Sequence, residues 1–308
     1  MELTANKLAE SDAVAVAAVV NASARLAGAD CAAWLSQWLR NRYGIEAQIF
    51  LAETGAEMRS YARRAAKGSS DLVIAAGGDG TVSSVAAQLV GTDKRLGVLP
   101  FGTLNHFAKD LHIPLDAEAA ARNFIEGRPL RVDTASVNGQ WFLNNSSLGL
   151  YPQAVAAREQ QQKSGWNKWL AWLPALWSTL RRYPVMAVRL TADNHESVRR
   201  TAIVFIGNNR YTLEGPGIGS RSGLEDGTLH VSIMRRCGVW AMLRLFTYAL
   251  LGKLQQIREF DSLSSKELWI DSRRKQLAVA LDGEVTRLRP PLHYRIHPAS
   301  LTVMVPHA

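Results

Sequence analysis

Leu72-Val73-Ile74-Ala75-Ala76-Gly77-Gly78-Asp79-Gly80-Thr81-Val82 decides how the chain is read. Residues 71–76 are a short apolar run with β-branched side chains, the pattern of a buried strand. Val82, Val85, Ala86 and Leu89 then recur at helical spacing. Between strand and helix stand three glycines around one acid. Such a turn aims backbone N–H groups and the positive end of the helix dipole at one point, and glycine lets a phosphate come close. The stretch therefore predicts a turn that holds a nucleotide's phosphates; a tight turn in which Asp79 only caps the helix is the plainer alternative. It is neither GxGxxG nor GxxxxGK followed by Ser or Thr, so the dinucleotide fingerprint and the Walker A loop both fail.

Working outward, residues 13–20, 45–51 and 96–99 also read as strands. Leu35, Trp38 and Leu39 mark one intervening helix, and Met58, Tyr61, Ala62 and Ala65 another. Strand and helix alternating at this pitch predict right-handed βαβ units, a doubly wound α/β nucleotide-binding domain over residues 1–130. A second glycine turn, Leu99-Pro100-Phe101-Gly102-Thr103-Leu104-Asn105-His106, follows the fourth strand. Loops at the carboxyl ends of neighbouring strands share a crevice, so Thr103 and Asn105 are expected to face the same ligand as Asp79.

After Pro129 the pattern changes to period-two strands, beginning with Val132 to Val137, the turn pair Asn138-Gly139, and Trp141 to Asn144. Further strands are expected at 185–191, 200–206, 228–234, 266–271, 277–281 and 293–297, with helices near 154–181 and 238–257. Residues 131–297 are thus predicted to be an antiparallel β-sandwich domain with helical insertions.

Composition bounds the function. The chain has 308 residues, 47% hydrophobic and 20% charged, which suits a globular protein of about two domains at roughly 100–200 residues each and excludes a disordered or collagen-like chain. Formal charge is +9, and 27 of the 36 basic residues are Arg, so an anionic partner is expected. Cys31 and Cys237 have no paired spacing, which argues against a disulfide framework or zinc ribbon and for a reducing, cytoplasmic setting. The first twelve residues carry Glu2, Glu10 and Asp12 against Lys7, the wrong charge for a signal peptide. The longest charge-free apolar run, Trp169 to Leu180, is too short for a bilayer span of about 20 residues.

Gly-Gly-Asp-Gly-Thr at 77–81 followed by Leu-Pro-x-Gly-Thr-x-Asn-x-Phe-Ala at 99–108 resembles the catalytic domain of the diacylglycerol kinase family, in particular bacterial lipid kinases related to sphingosine and ceramide kinases. Val132-Asp133, Phe142 to Gly149, Ile206-Gly207-Asn208, Asp226-Gly227-Thr228-Leu229 and Leu281-Asp282-Gly283-Glu284 fall in the family's order, so the likeness covers nearly the whole chain. The resemblance implies phosphoryl transfer from ATP to a lipid hydroxyl in an inter-domain cleft, with the last strand, 298–308, completing the first domain. It implies that Gly77, Gly78, Asp79, Gly80, Thr81 and Val82 bind the ATP phosphates, with Thr103 and Asn105 at the same site and Asn21 where relatives carry an Asn-Pro nucleotide loop; Ala22 replaces that proline. Glu284 is implied as the proton acceptor, with Asp79 the other candidate base. Asp226, with the carbonyls of Gly223 and Thr228, is implied as a Mg²⁺ site, since hard cations take oxygen ligands; the alternative is a simple turn into the strand at Thr228. Phosphoryl transfer asks chiefly for positioning and charge neutralisation, which agrees with this set.

His106 departs from the commoner Asn-Asp pattern, and imidazole is a poor Mg²⁺ ligand. A nucleotide- or lipid-binding protein with weak turnover therefore stands as one alternative, and a NAD kinase-like enzyme, which shares the first motif but not the later ones, as another. Trp166, Trp169, Leu170, Leu173, Trp177 and Leu180, flanked by Lys163, Lys168, Arg181 and Arg182, fit either a core helix or one at a bilayer interface. His293 and His297 lack a carboxylate or thiolate cluster, which argues against zinc. No helix-turn-helix or RNP pattern accompanies the Arg pairs, so no nucleic-acid partner is expected. The expected partners are ATP and a lipid substrate at the anionic inner leaflet; a homodimer is compatible with the sequence.

Overall fold

The computed structural model describes residues 15–23, 28–149, 186–192, 195–211, 221, 223–234 and 260–307. The expected helices near 154–181 and 238–257, the Trp-rich segment and Cys237 lie outside them. The chain divides into two compact units, with boundaries between Val132 and Asp133 and between Pro298 and Ala299.

In the first unit, β1 (Val16–Asn21), α1 (Gly28–Tyr43), β2 (Ala47–Ala52), α2 (Gly55–Lys67), β3 (Leu72–Gly77), α3 (Asp79–Leu89) and β4 (Arg95–Pro100) alternate. The strands are parallel in the order β2-β1-β3-β4. β1 and β3 are buried almost throughout, as a sheet covered on both faces requires. Leu35 and Leu39 of α1 and Phe124 of α5 (Ala117–Glu126) share one core with Val16, Ala18 and Val20 of β1, Ile74 of β3 and Leu99 of β4. The strand order reverses between β1 and β3, and in open α/β sheets ligands bind outside the carboxyl ends of the strands at such a point. Asn21 and Gly77 stand at those two ends.

The second unit contains β6 (Gln140–Phe142), β7 (Asn145–Gly149), β8 (Met186–Ala192), β9 (His195–Thr201), β10 (Ile203–Asn208), β11 (Leu229–Met234), β12 (Phe260–Ser265), β13 (Glu267–Asp271), β14 (Leu277–Leu281) and β15 (Glu284–Leu288). β5 (Arg128–Val137) leads into it. One antiparallel layer runs β12-β11-β10-β7-β14-β15. The other contains β8, β9, β13 and the first part of β16 (Leu292–Val305). Leu148, Val204, Ile206, Val231 and Val279 from one layer meet Val188, Leu190, Leu268, Ile270 and Tyr294 from the other. This is the expected sandwich. β16 pairs antiparallel with β13 at Leu292 to Arg295 and parallel with β4 at Thr302 and Val303.

Several expectations need correction. The strand placed at 200–206 is two strands, because β9 ends at Thr201 and β10 starts at Ile203; the Thr201 hydroxyl bonds the Ile203 N–H and C=O across the step. β9, β12 and β15 are sheet edges, where polar side chains blunt the alternation that marks a strand. β7 is central yet reads Asn-Ser-Ser-Leu-Gly; Ser146 is tolerated there because its hydroxyl bonds the Tyr294 hydroxyl at 3.0 Å. The strand expected over Trp141 to Asn144 ends at Phe142. Asn138 and Gly139 both have positive φ, 47° and 79°, as the predicted hairpin turn needs.

His230 on β11 is pushed below its ordinary pKa by burial and then by Arg210. His297 is lowered too, by burial and then by Arg295. The unfolded chain therefore takes up these protons first, and stability present above about pH 6.5 is lost as pH falls through that value. The urea midpoint should be lower at pH 5.5 than at 7.5, and His230→Gln should shrink the difference; an undiminished difference in the variant contradicts the role given to His230.

Candidate functional site

The first site is built at the carboxyl ends of β1, β3 and β4. Gly77 closes β3 because a Cβ there would lie 2.4 Å from the Thr81 Oγ1. Thr81 is buried, and its hydroxyl accepts a hydrogen bond from the Asn21 side-chain amide at 3.2 Å, which ties the end of β1 to α3. Asn21 in turn accepts from the Ser23 N–H at 2.9 Å. Gly78 precedes α3 in extended conformation and gives no side-chain cap. The opening N–H groups of a helix have no intrahelical partner, so Asp79, Gly80 and Thr81 begin α3 with donors a phosphate can use.

The second glycine loop meets the first directly. A Cβ on Gly102 would sit 2.5 Å from the Gly78 Cα, and one on Gly78 would sit 3.2 Å from the Gly102 Cα. The Phe101 N–H donates to the Gly77 carbonyl at 2.9 Å. Asp79 Oδ1 accepts from the Phe107 N–H at 3.3 Å, in the first turn of α4 (His106–Asp110). One carboxylate thus spans both loops.

Two candidate residues make hydrogen bonds within their own turns. Asn105 is buried with φ 50°; its Oδ1 accepts from the Gly102 N–H at 2.9 Å and its Nδ2 donates to the Gly102 carbonyl at 3.0 Å. Its amide shapes its own loop. Val82 is buried, and its N–H donates to the Gly78 carbonyl at 3.1 Å. Thr103 and His106 are exposed on the loop.

The other candidate groups lie in the second unit. Asp226 Oδ2 accepts from the Arg210 N–H at 3.4 Å, and the Thr228 carbonyl accepts from the Asn209 N–H at 3.0 Å. With the Gly223 carbonyl they offer only oxygen, which fits a hard cation, although the described residues contain no cluster of three or more His, Cys, Asp or Glu suited to a metal. Buried Asp133 fixes this turn: its N–H donates to the Leu224 carbonyl at 2.8 Å and its Oδ2 accepts from the Gly227 N–H at 2.7 Å.

Glu284 is exposed and follows the turn Asp282-Gly283, whose φ values of 46° and 90° make a tight hairpin closed by the Leu281 and Glu284 pair. Asp282 anchors that hairpin. Its Oδ2 accepts from the Leu143 N–H at 2.8 Å, and its Oδ1 accepts from the N–H groups of Asn144 at 2.8 Å and Asn145 at 3.0 Å. The opposite side of that segment is held as well. Arg221 Nη1 donates to the Leu143 carbonyl at 2.6 Å, Arg221 Nη2 to the Asn144 Oδ1 at 2.8 Å, and Asn208 Nδ2 to the Leu143 carbonyl at 2.8 Å. Sequence reasoning assigns no role to Asp133, Asn208, Arg221 or Asp282; the signal available was that Asp133, Asn208 and Asp282 fall inside the quoted motifs.

Because Gly102 touches backbone, Gly102→Ala should lower stability by about 1–3 kcal/mol, read as a denaturant midpoint shift; a variant as stable as the parent would show that the two loops are not in contact.

Comparison with known proteins also gives two parts. Residues 15–137 match the family described as diacylglycerol kinase catalytic domain, and residues 150–305 match the YegS C-terminal NAD kinase beta sandwich-like domain. A probable lipid kinase YegS-like protein of Cronobacter sakazakii is 33% identical over 56% of this chain and 59% of its own length, so the match spans under two thirds of that relative. A diacylglycerol kinase of Staphylococcus saprophyticus is 25% identical over 78% of this chain and 79% of its own. A crystal structure described as a diacylglycerol kinase from Bacillus anthracis shares the fold at TM-score 0.68 and 20% identity, covering 95% of this chain and 97% of that one. A second chain from that organism reaches TM-score 0.73 at 23% identity with the same coverage. Between them the two family models cover most of the sequence, and the chain belongs to the diacylglycerol kinase family with the YegS-type C-terminal domain.

Proposed function

We propose that this chain is an ATP- and Mg²⁺-dependent lipid kinase that transfers the γ-phosphate of ATP to a lipid hydroxyl. The observation that carries the reading is the uncapped, glycine-preceded start of α3, pressed backbone to backbone against the Gly102 loop. Free N–H groups at a helix N-terminus favour an anion, and two abutting glycine loops leave no side chain to fend off a phosphate. Asn21 and Asn105 hold the loops in shape, and Thr103 stands exposed beside them.

Phosphoryl transfer needs little covalent chemistry from the protein, so positioning and proton acceptance are the tasks left to the side chains. Glu284 is the proposed acceptor of the lipid hydroxyl proton. It stands exposed at the hairpin tip, and the three N–H bonds to Asp282 keep that tip in place. Asp79 is the alternative base, although its bond to the Phe107 N–H also gives it a loop-holding role. Mg²⁺, when bound by Asp226 and the carbonyls of Gly223 and Thr228, supplies charge neutralisation. ATP and a lipid are the partners this reading requires, with the protein working peripherally at an anionic cytoplasmic leaflet. Among the described residues no helix is long and apolar enough to cross a membrane.

A second reading, a nucleotide-binding protein of low turnover, draws on exposed His106 where the commoner pattern has an acid. ATP binding without phosphorylation of any lipid would favour it. The NAD kinase-like reading shares the first motif, but the relatives above are named for lipid and diacylglycerol substrates; formation of NADP from NAD and ATP would favour it.

Glu284→Gln should lower lipid phosphorylation by about 10²–10⁴-fold, the usual worth of a positioned base. Asp79→Ala should lower it strongly as well, with a modest fall in melting temperature from loss of the tie to the Phe107 N–H. Labelled ATP with a panel of diacylglycerol, monoacylglycerol, phosphatidylglycerol, ceramide and sphingosine reads both variants and names the product. Full activity in both variants would contradict the assigned roles.

A further inference from the structure

We propose that the cationic end of the β14–β15 hairpin, with Trp269 beside it, docks this chain on an anionic lipid leaflet. Residues 271–276 read Asp-Ser-Arg-Arg-Lys-Gln and residues 287–289 read Arg-Leu-Arg, so Arg273, Arg274, Lys275, Arg287 and Arg289 face a single acid, Asp271. All five cations are exposed. The Leu277 and Leu288 pair brings the two segments together at the hairpin's open end. Among the described residues no ion pair joins any of the five to an acid.

The patch continues to an aromatic edge. Asn138 Nδ2 donates to the Arg289 carbonyl at 3.2 Å and to the Pro291 carbonyl at 3.3 Å, while Asn138 Oδ1 accepts from the His293 N–H at 2.8 Å. The His293 ring stacks on Trp269 with centroids 3.7 Å apart and 7° between planes, and Trp269 remains 39% exposed. A part-exposed tryptophan held by the His293 ring, with exposed arginine and lysine on the neighbouring segments, suits the headgroup zone of a bilayer, where an amphipathic ring and a cation both find partners. A polynucleotide would be drawn by the same charge. Assigning the surface to lipid rests on the lipid-kinase reading above. Glu284 is at the other end of β15, roughly 14 Å away at 3.4 Å per residue, so changes to the patch leave the proposed proton acceptor untouched.

The test is sedimentation of the full chain with phosphatidylglycerol-rich vesicles, with pure phosphatidylcholine vesicles, and in a parallel assay with single-stranded DNA. The parent should bind the anionic vesicles, less so at high salt. The triple variant R273E/R274E/K275E should lose about 100-fold in vesicle partitioning, at roughly fivefold per cation. The milder R287Q/R289Q should lose part of it with an unchanged melting temperature, which separates docking from folding. R59E/R63E/K67E on α2 makes the same charge change elsewhere and should bind nearly as the parent does. Equal losses in that control, retention of vesicle binding in the patch variants, failure of the parent to bind, or loss confined to DNA would each overturn the proposal. Phosphorylation of lipid in detergent micelles is measured alongside and should be unchanged in the patch variants. A parent that binds vesicles but phosphorylates no lipid in micelles contradicts the kinase reading and leaves the docking result standing.

Discussion

Backbone lies against backbone where Gly78 meets Gly102, and the first unit's candidate site depends on that contact. The Gly102 loop could carry no side chain there, since a Cβ on Gly102 would fall 2.5 Å from the Gly78 Cα. The contact puts the start of α3 and the β4–α4 loop on one edge. Asp79 then bridges to the Phe107 N–H, and Asn105 fills the loop's own hydrogen bonds from within. Polar residues that look ready for a ligand divide here into those that build the cradle and those that line it.

The second unit follows the same logic with different parts. A carboxylate that accepts three backbone N–H groups is fully engaged in holding backbone, which makes Asp282 a structural anion. Arg221 and Asn208 hold the carbonyl side of the same peptides. The segment 143–145 is therefore gripped on both sides, and the hairpin tip bearing Glu284 inherits that rigidity. Asp133 does for the 223–228 turn what Asp282 does for the hairpin. A reaction that asks for placement more than covalent chemistry is served by such fixed turns.

Much of this was legible in the sequence because it is local. Hydrophobic runs at 72–76 and 96–99, helical spacing at Val82 to Leu89, and the Asn138-Gly139 turn each follow from residue type within a few positions. What escaped is set by distant neighbours. β7 is a central strand made largely of Asn, Ser and Gly because β10 and β14 flank it and Tyr294 answers Ser146. Asn105 reads as a ligand group in sequence and Asp282 only as part of a motif; their work as loop and hairpin ties appears once residues such as Asn144 stand beside Asp282 in space. The edge strands β9, β12 and β15 were hidden by the polarity that keeps such edges from pairing further.

The central claim is that the N–H groups opening α3 receive the nucleotide's phosphates. Hydrogen–deuterium exchange at the amides of Asp79, Gly80 and Thr81, compared with and without saturating ATP and Mg²⁺, tests it most directly. The account predicts marked slowing at these three amides. Unchanged exchange there, under conditions where calorimetry shows the nucleotide bound, would contradict it.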